Sequence, residues 1–234
     1  MDEAYFKKCL AEVERRVAET PKTAPAHRKL FKKGYSFSKQ SPKEQLKIWE
    51  YIWKNSSGFR AGGHAFLYLE SKMEDKEFLR RSWKTIKHWQ KAVDNWGSCD
   101  GMAKIYTKIL EVIPDEVLPQ LEKWSKSANL WDRRQSVVSL LYFSRTKKVV
   151  LPFDTIIKFI DRLQDDKEYY VQKGVGWALK ELYQVYPKRT LKYLEKNIRK
   201  ISSIAFSPAT EKLKKKEKEK LKNLRKQNWK RKQV

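Results

Sequence analysis

An all-α protein is what the sequence predicts, and three observations carry that expectation. Apolar residues recur at helical spacing from one end of the chain to the other. Turn formers are scarce, with 8 Gly and 8 Pro in 234 residues. No Asn-Gly or Asp-Gly hairpin signal stands between alternating runs, and no stretch keeps the two-residue period of a half-buried strand. Residues 2–19 read as an amphipathic helix that stops before Pro21, and 22–41, carrying Lys, Gly and Ser, as a connection. Ser41 then reads as an N-cap, with Pro42 at the first helical position and Glu44 completing a capping box, opening a helix to about Lys54. Further helices fit residues 59–72, 75–93, 95–113, 115–127, 129–146, 153–163, 166–186, 188–198 and 208 to about 228.

Composition narrows the function. With 13% aromatic residues the chain has the mass for a real core, so disorder throughout is excluded despite a mean hydropathy of −0.79. No run of 18 apolar residues predicts a membrane span, and MDEAYFKKCLAEVERR lacks the apolar stretch of a secretory signal. A bacterial cytosolic setting, at the nucleoid, is the expectation, with no membrane partner. Two cysteines (Cys9, Cys99) and three histidines (His27, His64, His88) show no ligand spacing, so neither a metal nor another cofactor is expected. Lys and Arg number 53 against 28 Asp and Glu, a net charge of +25. Residues 211–234 hold 12 of the cations and 3 of the acids, which leaves +16 on the other 210 residues. Body and tail are both basic, and a polyanion, DNA above all, is the expected partner. The expected organisation is one helical-repeat domain over residues 1–210, its first 72 or so divergent, followed by a lysine-rich helix or tail over 211–234.

From residue 75 the helices fall into pairs whose second members open on an aromatic: NWGSCDGMAKIYTKIL at 95, NLWDRRQSVVSLLYF at 129 and EYYVQKGVGWALKELY at 168. Trp96, Trp131 and Tyr169 lie 35 and 38 residues apart, near the period of HEAT-type repeats. The expected architecture is therefore a curved solenoid of HEAT-like antiparallel helix pairs, its second helices lining a basic concave face. Trp96 and Asp100 are four apart and share one helix face, as do Lys173 and Trp177, while Trp131 and Arg134 are three apart. Each residue type also has a plainer use. Trp96 and Trp177 could be packing residues, and Asp100 a first-turn acid or half of an ion pair. Arg133 and Arg134 could form a solvated face. Gly174 and Gly176 fit close helix packing or a weakened helix.

The segments DNWGSCD (94–100), NLWDRRQSVVSLLYFSR (129–145) and EYYVQKGVGWALKELYQVYP (168–187) resemble the AlkD-like DNA alkylation repair enzymes, a HEAT-like family of DNA glycosylases. The likeness covers roughly residues 75–200, with the three motifs in the expected order. It implies that Asp100 matches the catalytic aspartate, Trp96 and Trp177 the two site tryptophans, and Arg134 the arginine near the DNA backbone. Arg133, Lys173, Lys180 and Trp131 join these as candidate DNA contacts. The implied activity is monofunctional excision of N3- and N7-alkylated purines from duplex DNA, without the usual base-flipping pocket. The implied partner is alkylated double-stranded DNA, bound by a monomer.

Three departures stand out: Gly97 follows Trp96 where relatives carry an acid, Lys180 replaces a common arginine, and FRAGGHAFLYLES (59–71) lacks the usual charged pattern. The alternative to a glycosylase is a noncatalytic helical-repeat module that binds damaged or branched DNA.

Overall fold

A computed structural model of the chain describes residues 1–142, 144, 147 and 149–230, with the side chains of 228–230 outside the description. The described residues form helices and no strands, as the apolar spacing requires. They divide into two units, Met1–Ile105 and Tyr106–Val234.

The first unit contains α1 (Glu3–Ala18), α2 (Ala24–Lys32), α3 (Pro42–Asn55), α4 (Phe59–Ser71), α5 (Lys76–Ile86), a 3-10 helix (Lys87–Ala92) and the first turns of α6 (Trp96–Val112). The capping box at Ser41 is present: the Glu44 N–H donates to Ser41 Oγ (3.3 Å) and the Ser41 N–H to Glu44 Oε2 (3.0 Å). The core is unusually aromatic. Trp49 lies 5.1 Å from Phe37 and 5.5 Å from Tyr35 between ring centroids, and the buried Trp53 indole donates to the Trp89 carbonyl at 3.0 Å. Rings of this size bury much apolar area per residue and fill the spaces between short helices.

One expectation is corrected here. Residues 22–41 are not a bare connection, because α2 forms within them. Thr23 caps it by accepting from the Ala26 N–H (3.4 Å), Pro25 sits in its first turn, and Leu30 is buried. With nine residues and one of them buried and apolar, α2 is too short for a helical period to be read from spacing. It is held by tertiary contacts, above all the 3.0 Å hydrogen bond between His27 Nδ1 and His64 Nε2 of α4.

The second unit contains the rest of α6, α7 (Pro114–Trp124), α8 (Leu130–Val138), α9 (Phe153–Leu163), α10 (Tyr169–Val185), α11 (Pro187–Lys196), α12 (Ser203–Ala209) and α13 (Lys215–Lys230). Consecutive helices pack as pairs (α7 on α8, α9 on α10), and α10 also packs against both α8 and α12, the neighbour-on-neighbour order of a helical repeat. Glycine permits the closest of these approaches. A Cβ at Gly174 would press on the Arg134 and Val138 side chains, and one at Gly176 would enter the shell of the Ala205 carbonyl oxygen. Both glycines therefore serve packing.

The helix predicted for 129–146 ends early. Ser139 closes α8, its carbonyl accepting from Thr107 Oγ1 at 2.6 Å. Residues 143, 145, 146 and 148 lie outside the described residues, so that part of the expected helix is left aside.

The helix expected from 208 starts later, at Lys215, because Pro208 and Ala209 close α12. Leu213, Leu221 and Leu224 look too sparse to anchor a lysine-rich segment, yet Leu221 is fully buried. Polar anchors complete the docking: the Tyr183 hydroxyl donates to Glu217 Oε2 (2.7 Å), Lys220 pairs with Glu195 (2.7 Å), and Arg225 Nη1 donates to the Ile201 carbonyl (3.0 Å). Residues 231–234 lie outside the described residues.

Candidate functional site

The three repeat-related helices carry the aromatic that the spacing singled out at their first position (Trp96, Tyr169) or second (Trp131), and local capping sets where α6 and α8 begin. For α6, the Ser98 N–H donates to Asn95 Oδ1 at 2.9 Å. For α8, the Trp131 N–H donates to Asn129 Oδ1 at 2.8 Å. Asparagine satisfies an orphan backbone donor in both first turns. Placed there, Trp96 is 58% exposed and Tyr169 50%, so neither is a core residue.

In the first unit, α6 carries Trp96 and, one turn on, the half-buried Asp100. Their helix lies close against α4 because Gly97 and Gly101 lack side chains. A Cβ at Gly97 would meet the Phe59 ring at 3.3 Å, and one at Gly101 would meet the Phe66 ring at 2.7 Å. That contact explains the first departure from the family pattern: Phe59 occupies the space an acid after Trp96 would need. A cleft of about 690 Å³ opens beside these turns, lined among others by Gly97, Gly101, Phe59, Arg60, Gly63 and His27. Below it His64, 1% exposed, bridges His27 and the Tyr35 hydroxyl, the latter 2.7 Å from Nδ1. Burial first, then the nearby His27 and Arg16, depress the His64 pKa to about 4. Burial and Arg60 lower His27 as well. This network holds α2 to α4.

In the second unit, α8 and α10 bring together Trp131, Arg133, Arg134, Lys173, Trp177 and Lys180. Tyr169, Lys173 and Trp177 follow one another at four-residue steps along α10, with Lys173 Nζ 5.6 Å from the Tyr169 ring centroid. Lys180 Nζ lies 5.7 Å from the Trp177 centroid and 3.5 Å from Glu211. Contacts of this cation–aromatic kind are worth roughly 0.5–2 kcal/mol, more as water is excluded.

The two arginines do different work from the lysines. Arg133 Nε donates to Asp166 Oδ2 (2.6 Å), while its Nη1 donates to the carbonyls of Ser127 (2.9 Å) and Ala128 (2.8 Å). Arg134 is 6% exposed and donates from Nη1 to the Tyr170 carbonyl at 2.9 Å. Both therefore brace the start of α10 against α8; Lys173 is a partly exposed cation of this face, and the Lys180 side chain is 14% exposed beside Glu211. Tyr170 and Tyr142 were not legible as members of it. Tyr170 packs on Trp131 with centroids 5.1 Å apart, and Tyr142 packs on Trp177 at 5.1 Å. Tyr170 lies off the 169–173–177 line by helical angle, and Tyr142 lies beyond α8, so only tertiary packing reveals them. Among the described residues no group of three or more His, Cys, Asp or Glu is placed to hold a metal ion. None of the described helices is long and apolar enough to cross a membrane.

The fold and these faces define an all-α helical-repeat protein. Within that class the chain belongs to the DNA alkylation repair enzyme family, whose model matches residues 20–213. Among solved structures it is similar to a predicted DNA alkylation repair enzyme from Enterococcus faecalis, with 20% identity, a TM-score of 0.67, and coverage of 92% of this chain and 97% of that one. It is also similar to AlkD2 from Streptococcus mutans (20% identity, TM-score 0.56, 94% and 97% covered). At that identity the likeness establishes the shared fold. The search of curated proteins found no match.

Proposed function

We propose that this chain is a monofunctional DNA glycosylase that hydrolyses the N-glycosidic bond of positively charged N3- and N7-alkylated purines in duplex DNA. The observation that carries the reading is on α6: an indole 58% exposed and a carboxylate one turn away on the same face, in a member of a DNA alkylation repair family. An alkylated purine already bears a positive charge, so the bond from C1′ to the base nitrogen breaks with its electron pair going to the base. No acid is needed to protonate the leaving group. Positive charge then develops on the sugar. Asp100 stabilises that oxocarbenium-like centre and orients the water that adds to C1′, accepting its proton.

Preorganised electrostatics of this kind supply about 3 to 4 kcal/mol per group. Trp96, beside Asp100, lies against the deoxyribose and the cationic base, and Trp177 with Trp131 supplies the aromatic face of the second unit for DNA. Lys173 and Lys180 engage phosphates, which position the duplex without reading its sequence. Arg133 and Arg134 act at one remove, by fixing the N-terminal turn of α10. No lysine nucleophile enters the scheme, so strand cleavage is not expected. The protein works as a monomer, in a bacterial cytosol.

The test is single-turnover release of base from a duplex with one N7-methylguanine, by the wild type and by Asp100→Asn. The wild type should release base, and the variant should be slower by about 10²–10³-fold. Release by the variant at the wild-type rate would remove Asp100 from the mechanism. Tight binding by the wild type with no release would leave a noncatalytic DNA-binding module.

A further inference from the structure

The family match ends at residue 213, and α13 follows it as a rigidly docked addition. Its 16 residues carry eight Lys and Arg against two Glu. Leu221 and the Tyr183–Glu217 and Lys220–Glu195 contacts fix one side of the helix to the second unit. Away from that side Lys215, Lys222 and Lys226 are exposed, and the partly buried Lys218 lies on the flank between them and Leu221, so the four recur at i, i+3, i+7 and i+11, with Lys216 beside them. None of the five is in an ion pair among the described residues, and Glu219 is the one acid on that side.

Stacking Lys218, Lys222 and Lys226 at four-residue steps is unfavourable in an isolated helix, since like charges at that spacing repel. A polyanion laid along the helix would reverse the sign of that interaction. The stripe runs about 16 Å. That length matches four to five successive phosphates of one DNA strand, which advance about 3.4 Å each along the axis.

One end of the stripe is shaped as well as charged. Lys222 and Lys226 flank a notch of about 350 Å³ whose other walls are Ser203, Phe206 and Arg225. The guanidinium is held 4.7 Å over the Phe206 ring and donates to the Ile201 carbonyl (3.0 Å) and to Ser203 Oγ (2.9 Å). A phosphate entering there meets one cation, Arg225, already held in place, with Lys222 and Lys226 free to turn toward it. An anionic membrane is a poorer fit, because a surface-bound helix must give its apolar side to the lipid and Leu221 has given it to the protein. An acidic protein is a poorer fit too, because the one ring described in the notch, Phe206, is already covered by the Arg225 guanidinium.

We infer that α13 is a second DNA-binding element, separate from the lesion-facing residues, which grips the sugar–phosphate backbone of an undamaged stretch of duplex. The inference rests on DNA being the partner of the proposed function, and it does not require that base release occur. The full-length chain bearing Lys215→Gln, Lys218→Gln, Lys222→Gln and Lys226→Gln should bind an unmodified duplex with a log Kd against log salt slope shallower by about 3 to 4 than wild type. Affinity at low salt should fall about 10- to 100-fold. Base release at saturating protein should stay within about twofold.

The matching four-Arg variant keeps the charge and should keep both slope and affinity. A wild-type slope in the Gln variant would overturn the inference, and so would an equal loss in the Arg variant, which would trace the effect to folding. A chain that releases no base yet shows the charge-dependent slope would sink the glycosylase reading and leave α13 as a DNA-binding element.

Discussion

Above about pH 6.5 His64 is neutral in the folded and the unfolded chain alike, and acid separates the two. Burial, His27 and Arg16 hold its folded pKa near 4, well under the ordinary 6.5. Between those values the unfolded chain takes up a proton that the folded chain refuses, so stability falls as pH falls through this window and levels off below it. The loss is about 3 kcal/mol. His27, lowered in the same direction, adds to it. Urea unfolding followed from pH 7 to pH 4 should show this slope, and His64→Gln should flatten it by about one proton. An unchanged slope in the variant would mean that other groups set the acid limb. At the same scale, Asp100→Asn isolates the chemistry: it should abolish most base release while leaving unfolding nearly as it is.

Among the helices, close approach is set by residues that have no side chain. Gly176→Ala gains about 1 kcal/mol of helix propensity. The new methyl group, however, points at the Ala205 backbone carbonyl and Pro208, neither of which can rotate away. Overpacking of this kind costs about 1–3 kcal/mol, so the net effect should be destabilising by up to about 2 kcal/mol, read as a lower Tm. Gly63→Ala meets nothing within 4 Å and should leave Tm unchanged or higher, which makes it the control.

These two glycines also mark the limit of what spacing conveys. The sequence announces α3 through Ser41, Pro42 and Glu44, and α9 through its apolar period, because both signals are local. It does not announce α2 or the docking of α13. Each has little apolar periodicity and is held by partners far along the chain, His64 for one and Tyr183, Glu195 and Ile201 for the other. The candidate site divides in the same way. Trp96, Trp131 and Tyr169 were legible because repeats place them at a fixed period. Tyr142 and Tyr170 were not, since their membership comes from ring packing, and the inward commitment of Arg133 and Arg134 depends on carbonyls that no periodicity displays.

For the whole molecule, a charge of +25 acts before any side chain touches DNA. A field of this sign steers a duplex toward the protein and is screened by salt, with a Debye length near 10 Å at 0.1 M. Association with an undamaged duplex, followed by stopped flow, should slow at least about tenfold between 50 and 200 mM salt. Asp100→Asn should follow the same curve, because one carboxylate scarcely alters the field. A rate indifferent to salt would mean that orientation, and not electrostatic encounter, limits binding.

The backbone contact at Gly176 has a mechanical consequence. Trp177 is the next residue in the chain, so the backbone that carries its indole is the same backbone that bears on α12. With no side chain between the two backbones, α10 has no compliant layer to slide on there. The same α12 is tied to α13 through Arg225 and Ser203. A side chain added at Gly176 would therefore disturb the seat of α12, the helix to which α13 is tied, together with the backbone that carries Trp177.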